Sequence, residues 1–556
     1  MSASYAMGVD YGTNSVRTII VDVNSGDQVA ASVYAYPSGD DGILLDDSDP
    51  NLARQHPGDY IEGFLTTARD AVAKSGVDVS RIVGIGVDTT ASTPIPIGHD
   101  GTPLAMLPEF QRNLNAYAWL WKDHTSHEEA AAITQLAIDR NEPYLAKCGG
   151  AYSSEWFWSK VLRCRHVDHA VFDAAVTWVE QADFVTAYLT GQLGASHIPR
   201  GICAAGHKAM FHESWGGLPS EAFLGELHQD LASLRSRLYD SAKPSDQSAG
   251  GLDPKIAEAI GVPAGIPVAY GAIDAHLGAV GAGVKSGTLV KVLGTSTCDM
   301  AVVSTDQDLP DIPGLCGIVP GSIVPGMFGI EAGQAAVGDI FNWFVKSIVR
   351  GHSGSDLHQS LTNDAQQLRP GESGLIALDW SNGNRCVLAD PLLTGLLVGQ
   401  TLRTSAAEVY RALIESTAFG ALTIIKRFEE HGIQIDQIVN CGGIAAKNAM
   451  LMQIYADVCN RPMAVSGSDQ TCALGAAICG AVVGKAWGSV EEAQSHMCVP
   501  HRQTYQPITK HARTYQRLYE LYRQLHDAFG TNGYTGSMSN VMKALIAIRN
   551  EVRRGA

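Results

Sequence analysis

A chain of 556 residues is too long for one hydrophobic core, so two large domains are expected. Its 45% apolar content and 58 glycines point to a compact, glycine-punctuated α/β protein, and a net charge of −17 excludes a general nucleic-acid or membrane-surface role. The 11 cysteines contain no Cys-x-x-Cys pair, and neither a signal-like start nor an apolar run of about 18 residues is present, so reduced thiols and a cytoplasmic location are expected.

Residues 5–10 read as a short buried strand ending in Asp10-Tyr-Gly-Thr-Asn-Ser15. A second strand, 16–22, follows directly, and Asn24-Ser-Gly26 turns it towards a third at 29–36. The glycine loop therefore joins two strands and opens no helix, which excludes the phosphate loop of dinucleotide and P-loop folds. By itself such a loop is a common turn.

Residues 60–74 read as an amphipathic helix, and 82–88 as a fully buried strand ending in Asp88-Thr-Thr-Ala-Ser-Thr93. Small, hydroxyl-rich loops at the carboxyl ends of strands are where open α/β sheets bind ligands. A helix is expected from Glu128 to Asn141. His124 and His127 before it lack a third metal ligand nearby, so a polar loop is the better reading. Trp156 and Trp158 suit core packing first and sugar-ring stacking second. One helix is expected over 178–189. Lys208, between apolar neighbours, would either snorkel to water or face a hydroxylated ligand.

A Gly- and Pro-rich stretch, 240–267, looks like the end of the first lobe. Val268-Ala-Tyr-Gly-Ala-Ile-Asp274 then brings a strand to a single carboxylate, which could also be a helix N-cap. The opening theme recurs: strand 287–294, the turn Gly294-Thr-Ser-Thr297, and a strand 299–303. That repeat implies two homologous lobes, each lending one hairpin to a shared cleft. Glu331 lies among glycines. Helices are expected at 336–349 and 406–431. A strand from Ile438 runs into Gly442-Gly443, with a helix from Asn448, and 471–481 reads as a small-residue helix for close packing. The last helix carries Val541, Leu545, Ile548 and Val552 on one face and suits docking onto the body or a second subunit.

Asp10-Tyr-Gly-Thr, Gly294-Thr-Ser-Thr and Gly442-Gly443, in this order, resemble the two phosphate loops and the adenosine loop of the actin-like ATPase fold. With Gly271-Ala-Ile-Asp274-Ala-His between them, the chain is similar to the FGGY carbohydrate kinases. Leu120-Trp-Lys-Asp-His-Thr, Ser153-Ser-Glu-Trp-Phe-Trp, Ala205-Gly-His-Lys208 and His212-Glu-Ser-Trp-Gly-Gly narrow this to the members acting on L-ribulose.

The resemblance implies two actin-like (ribonuclease H-like) lobes, α/β with mixed sheets flanked by helices, divided as 1–271 and 272–556, with the active site in the interlobe cleft. It implies transfer of the γ-phosphoryl of ATP, with Mg²⁺, to the 5-hydroxyl of L-ribulose, a step of L-arabinose catabolism. Asp274 would be the general base, with Asp10 and Asp274 towards the metal. Ala91, Lys208, Asp274 and Glu331 would hold the sugar. Asp10, Gly12, Thr13, Gly294, Thr295, Thr297, Gly442, Gly443 and Asn448 would hold the nucleotide. Elementary chemistry agrees, because a sugar hydroxyl needs a carboxylate to take its proton, and glycines let backbone N–H groups approach phosphates. Ala446 departs from the family, whose members often carry a basic side chain there. The expected partners are ATP and pentuloses, without nucleic acid or membrane, and a homodimer is compatible with the sequence. The competing readings are a kinase of another ketopentose or pentitol, and a non-catalytic actin-like sugar sensor, which would have no need of Asp274.

Overall fold

The computed structural model describes residues 4–349 and 356–555. Two seven-stranded mixed sheets form the frame. In the first, strand Tyr5–Tyr11 pairs antiparallel with Ser15–Asp22, which pairs with Gln28–Ala35; on its other side lies Ile82–Thr89, in parallel. Pro267–Ala269 and the two-residue strand Ala272–Ile273 also run parallel to Ile82–Thr89. The second sheet repeats the plan. Thr288–Leu293 pairs antiparallel with Thr297–Ser304 and parallel with Gln437–Cys441. Each lobe thus offers one tight hairpin and one parallel neighbour ending at the same edge, as the sequence repeat suggests.

Between the sheets lie two helices, Asp274–Gly281 and Thr471–Val483, packed on each other. Their small residues explain the closeness. A Cβ on Gly86 of the first sheet would stand 1.8 Å from the carbonyl oxygen of Ala476, and one on Gly475 would stand 1.8 Å from that of Leu277. Backbone therefore rests on backbone, with no side chain between. One continuous apolar cluster joins the layers, from Ile19 and Val21 through Leu277 and Leu474 to Val290 and Met300. The helix Thr471–Val483, late in the chain, packs on strands of the first sheet and so clamps the two lobes together.

Two segments differ from their sequence reading. The expected helix over 178–189 divides into a strand, Thr177–Glu180, paired antiparallel with Pro94–Ile97, and a helix, Gln181–Thr190. Trp178 and Val179 are bulky β-formers that bury completely against this partner, so tertiary pairing overrides the helical pattern until Gln181. The expected helix over 336–349 begins at Gly338, runs to Trp343 and widens into a π-turn over Phe344–Ile348. Trp158 is fully buried, its indole N–H donating to the Ala209 carbonyl at 2.9 Å, so it belongs to the core. Among the described residues no helix is long and apolar enough to cross a membrane.

Candidate active site

Three carboxyl groups converge at the carboxyl edge of the first sheet. Asp10 ends one strand and lies in register opposite Asp88 on its parallel neighbour. Ala272 is opposite Asp88 in turn, and Ile273 opposite Thr89, so the next residue, Asp274, leaves that same edge. Parallel pairing thus brings together three acids that are far apart in sequence. Asp88 is fully buried, and neither of its oxygens accepts a hydrogen bond from a protein donor; its close polar neighbour is the Asp10 carboxyl. Burial, reinforced by Asp10 and Asp274, pushes the Asp88 carboxyl well above the usual range.

Burial also raises Asp10, although Arg17, across the hairpin, donates to it at 3.2 Å. Asp274 is pushed up to about 7, by burial first and by Asp10 second, against a hydrogen bond from the Ala275 N–H at 2.6 Å. Ile273 holds the N-cap position of the following helix, so Asp274 is its first residue and its carboxyl projects from the strand end. A buried cluster of hard oxygen donors with surplus negative charge suits a small divalent cation such as Mg²⁺.

The first glycine loop leaves this same edge just after Asp10, and the other two follow strands of the second sheet. In the first, the Gly12 N–H closes the hairpin on the Ser15 carbonyl at 2.9 Å, and the Thr13 hydroxyl accepts from the Trp121 indole at 3.0 Å. In the second lobe, Gly294 and Thr295 accept backbone N–H groups of Gly338 and Val337 with their carbonyls, at 3.1 and 2.7 Å. Gly442 takes φ +92°, and a Cβ there would meet the Leu293 carbonyl oxygen at 2.4 Å, so only glycine fits this junction. Gly443 opens a short helix, Gly443–Lys447. Beside these loops lies a cavity of about 640 Å³, lined by Gly294, Thr295, Gly443 and Asn448 with Phe341, Tyr410, Lys447 and Met450. Apolar and aromatic walls with a glycine-loop floor suit a nucleobase and ribose leading to phosphates.

Family models for the carbohydrate kinases match both lobes: the FGGY N-terminal domain over residues 5–281 and the FGGY C-terminal domain over 289–483. The chain belongs to the FGGY family of carbohydrate kinases. It is 40% identical to a ribulokinase of Halalkalibacterium halodurans, covering 99% of this chain and 98% of that protein. It is also 40% identical to a ribulokinase of Vibrio parahaemolyticus, over 94% and 95%. Among solved structures, a gluconate kinase from Lactobacillus acidophilus superposes with a TM-score of 0.77 at 20% identity, covering 96% of this chain and 99% of that one. A xylulose kinase from Rhodospirillum rubrum gives 0.76 at 22%, covering 94% and 98%. These show that the two-lobed actin-like fold is shared.

In this FGGY kinase the remaining sequence candidates fall into two groups. Lys208 ends the helix Ile202–Lys208 and does not reach water. Its ammonium donates to both oxygens of Glu331, each at 2.9 Å, and stands 5.4 Å from the Trp156 ring centre. Burial alone would raise Glu331, but Lys208, with His276 and His207, outweighs it and holds the carboxyl well below the usual range. Ala91 follows the strand that carries Asp88. Its loop is fastened by the buried Lys160, which donates to the Ser92 carbonyl at 2.8 Å, and by Glu180, which accepts the Thr93 N–H at 2.8 Å.

Thr297 and Asn448 serve the local backbone. The Thr297 hydroxyl is buried and accepts from the Gln334 N–H at 3.0 Å and from Lys291 at 3.3 Å. The Asn448 side chain caps the helix Ala449–Cys459 through the Leu451 N–H at 3.0 Å. Ala446 is exposed, while the next residue, Lys447, lines the cavity, so a basic side chain is available one position later.

The sequence reading omitted Asp88, Lys160, Glu180, His207 and His276 from the site. Asp88 alone had a local signal, a buried strand ending in an acid, the same form as Asp10.

Proposed function

We propose that the chain phosphorylates L-ribulose at its 5-hydroxyl with ATP, giving L-ribulose 5-phosphate, in the cytoplasm. The observation that carries this is Asp274, whose carboxyl is pushed up to about 7 beside Asp10 and Asp88 and lies within electrostatic reach of the Lys208–Glu331 pair. The relatives, ribulokinases 40% identical over nearly the whole chain, support the pentulose as substrate.

Asp274 accepts the proton of the attacking hydroxyl as the new O–P bond forms and the bond from the γ-phosphorus to the leaving ADP breaks, a role its raised pKa suits at neutral pH. Asp10 and Asp88, with Asp274, would hold Mg²⁺, which supplies charge neutralisation to the phosphates. The backbone at Gly12, Gly294 and Gly443, with Thr13 and Thr295, positions the phosphates. Lys208 and Glu331 hydrogen-bond the sugar hydroxyls and thereby set its orientation, and the Ala91 loop forms the facing wall. A site of converged donors and acceptors rejects sugars lacking a hydroxyl by leaving its own groups unpaired. The division of labour follows the lobes, with 1–271 taking the sugar and the first phosphate loop and 272–556 taking the nucleotide.

The test is coupled ADP release against a panel of pentuloses and pentitols. L-Ribulose is expected to give the highest kcat/KM. A higher value for xylulose or ribitol would overturn the substrate, and no release with any member would overturn the kinase reading.

A further inference from the structure

Behind Lys208 lies a buried cluster in which two histidines, unused in the proposed phosphoryl transfer, meet Glu331. His207 precedes Lys208 on the helix Ile202–Lys208, His276 lies on the helix Asp274–Gly281, and Glu331 on the strand Met327–Ala332. All three are buried, with His276 at 0% exposure. The His207 Nδ1 is 3.4 Å from Glu331 Oε2, and the His276 Nε2 is 3.6 Å from the same oxygen. The three ligating atoms lie within 4.8 Å of one another. Close approach is enforced by Gly317, where a Cβ would stand 2.1 Å from the His207 Nδ1.

The hydrogen bonds fix which way His207 carries its proton. Ser322 donates its hydroxyl to the Val319 carbonyl at 3.0 Å, so its oxygen accepts from the His207 Nε2–H at 2.9 Å. In the neutral ring Nδ1 then presents a lone pair towards a carboxylate oxygen. Neither that nitrogen nor either ring nitrogen of His276 has a hydrogen-bond partner. Buried polar atoms are normally satisfied, and an unpaired one costs on the order of 1–3 kcal/mol. Here lone pairs from two imidazoles and one carboxylate converge on the same small volume.

We propose that His207, His276 and Glu331 form a site for a borderline divalent transition cation, for which Zn²⁺ is the probe. Two imidazole nitrogens and one carboxylate oxygen are a common zinc donor set, and tetrahedral bonds of about 2.0–2.1 Å place ligand atoms roughly 3.3 Å apart. The two distances to Glu331 match this. The Ser322 contact on the far side of His207 is the outer hydrogen bond that orients a metal-bound imidazole. The fourth position is left to water.

The neighbouring ammonium of Lys208 opposes the cation and shares Glu331 with it, so the affinity is set by that competition. Three elements, from both family domains, supply the ligands, so the ion ties the lobes together. It also draws Glu331 away from Lys208. Zn²⁺ is therefore an inhibitor competitive with the sugar, a consequence that rests on the proposed sugar site, whereas metal binding itself does not.

The experiment is titration of the full-length, chelator-treated protein with Zn²⁺ in excess Mg²⁺, followed calorimetrically, and with Co²⁺, followed by its visible spectrum. The expected result is one ion per chain and a tetrahedral Co²⁺ band without thiolate charge transfer, which distinguishes the site from the cysteines. His276→Gln is expected to weaken binding at least tenfold. Lys208→Met is expected to tighten it, which a merely structural cluster would not do. No stoichiometric binding, a thiolate spectrum, or affinity unchanged in both variants overturns the proposal. Should His276→Gln fail to fold, Lys208→Met decides alone, and unchanged or weaker affinity counts against the site. Binding without sugar competition keeps the metal site and overturns only its link to the sugar pocket.

Discussion

The ammonium of Lys208, at the end of a helix of the first family domain, rests 2.9 Å from both carboxylate oxygens of Glu331, on a strand of the second. Both residues are buried, and the pair joins the two halves at the floor of the cleft. Removing one partner strands a buried charge, at a cost of about 3–5 kcal/mol, whereas replacing both is far milder. Lys208→Met alone and Glu331→Gln alone are expected to lower the melting temperature and raise the KM for L-ribulose, with the KM for ATP little changed. The double variant is expected to recover much of the melting temperature but not the sugar affinity. Equal losses for both substrates, or no recovery in the double variant, would contradict this.

Asp274 carries the pH dependence. Burial first, then Asp10, pushes its carboxyl up to about 7, and in the proposed mechanism the unprotonated form accepts the hydroxyl proton. Turnover is therefore expected to rise about tenfold per pH unit on the acid side and to level off below about 7, because bound Mg²⁺ draws the Asp274 value down from that of the metal-free cluster. Asp274→Asn is expected to lose on the order of 10²–10⁴ in kcat and the acid limb with it, while ATP binding persists. A pH–rate profile of both proteins at saturating Mg²⁺ decides. An unchanged rate in the variant removes Asp274 from the chemistry.

Asp88 predicts a trade between stability and metal. Its folded-state pKa is raised, mainly by burial, so the native state binds its proton more tightly than the unfolded chain does. Its contribution to stability is accordingly lost as pH rises above the ordinary carboxyl range. Asp88→Asn is expected to raise the melting temperature of the metal-free protein at pH 8, with a smaller gain at pH 4. The same change is expected to raise the Mg²⁺ concentration needed for half-maximal rate several-fold. A variant that melts lower at pH 8, or needs no more Mg²⁺, would count against Asp88 as a metal-facing acid.

The layered centre predicts steep costs for very small additions. Gly86→Ala and Gly475→Ala each place a methyl 1.8 Å from a carbonyl oxygen, so sheet and helix, or helix and helix, must part. Overpacking of this kind costs about 1–3 kcal/mol, and more where backbone itself must shift. Gly443→Ala, where a Cβ would meet nothing within 4 Å, is expected to leave the melting temperature almost unchanged. Thermal unfolding of the three variants tests the contrast, and equal losses at all three positions would contradict the packing account.

Local pattern alone determined much of this protein. The strand–Gly-Thr turn–strand repeat, the double glycine after a buried strand, the small-residue helix at 471–481 and a single acid at a strand end are short-range features. Each follows from steric permission at glycine or from the burial of alternating apolar residues. They were enough to read two homologous lobes and to single out Asp274 and the glycine loops, whereas the roles expected of Asp10 and Asp274 came from the resemblance those motifs carry to the FGGY kinases.

Tertiary pairing decided the rest, because partners chosen across hundreds of residues leave no trace in local periodicity. Asp88 joins Asp10 and Asp274 only because three parallel strands align in one register. Trp178 and Val179 became a strand because Pro94–Ile97 lay free to pair with them. Lys208 found a carboxylate instead of water, 123 positions along the chain. His207 faces Glu331 only because Gly317 lets its helix settle against the strand beside it, and His276 reaches the same carboxylate from the helix that begins at Asp274.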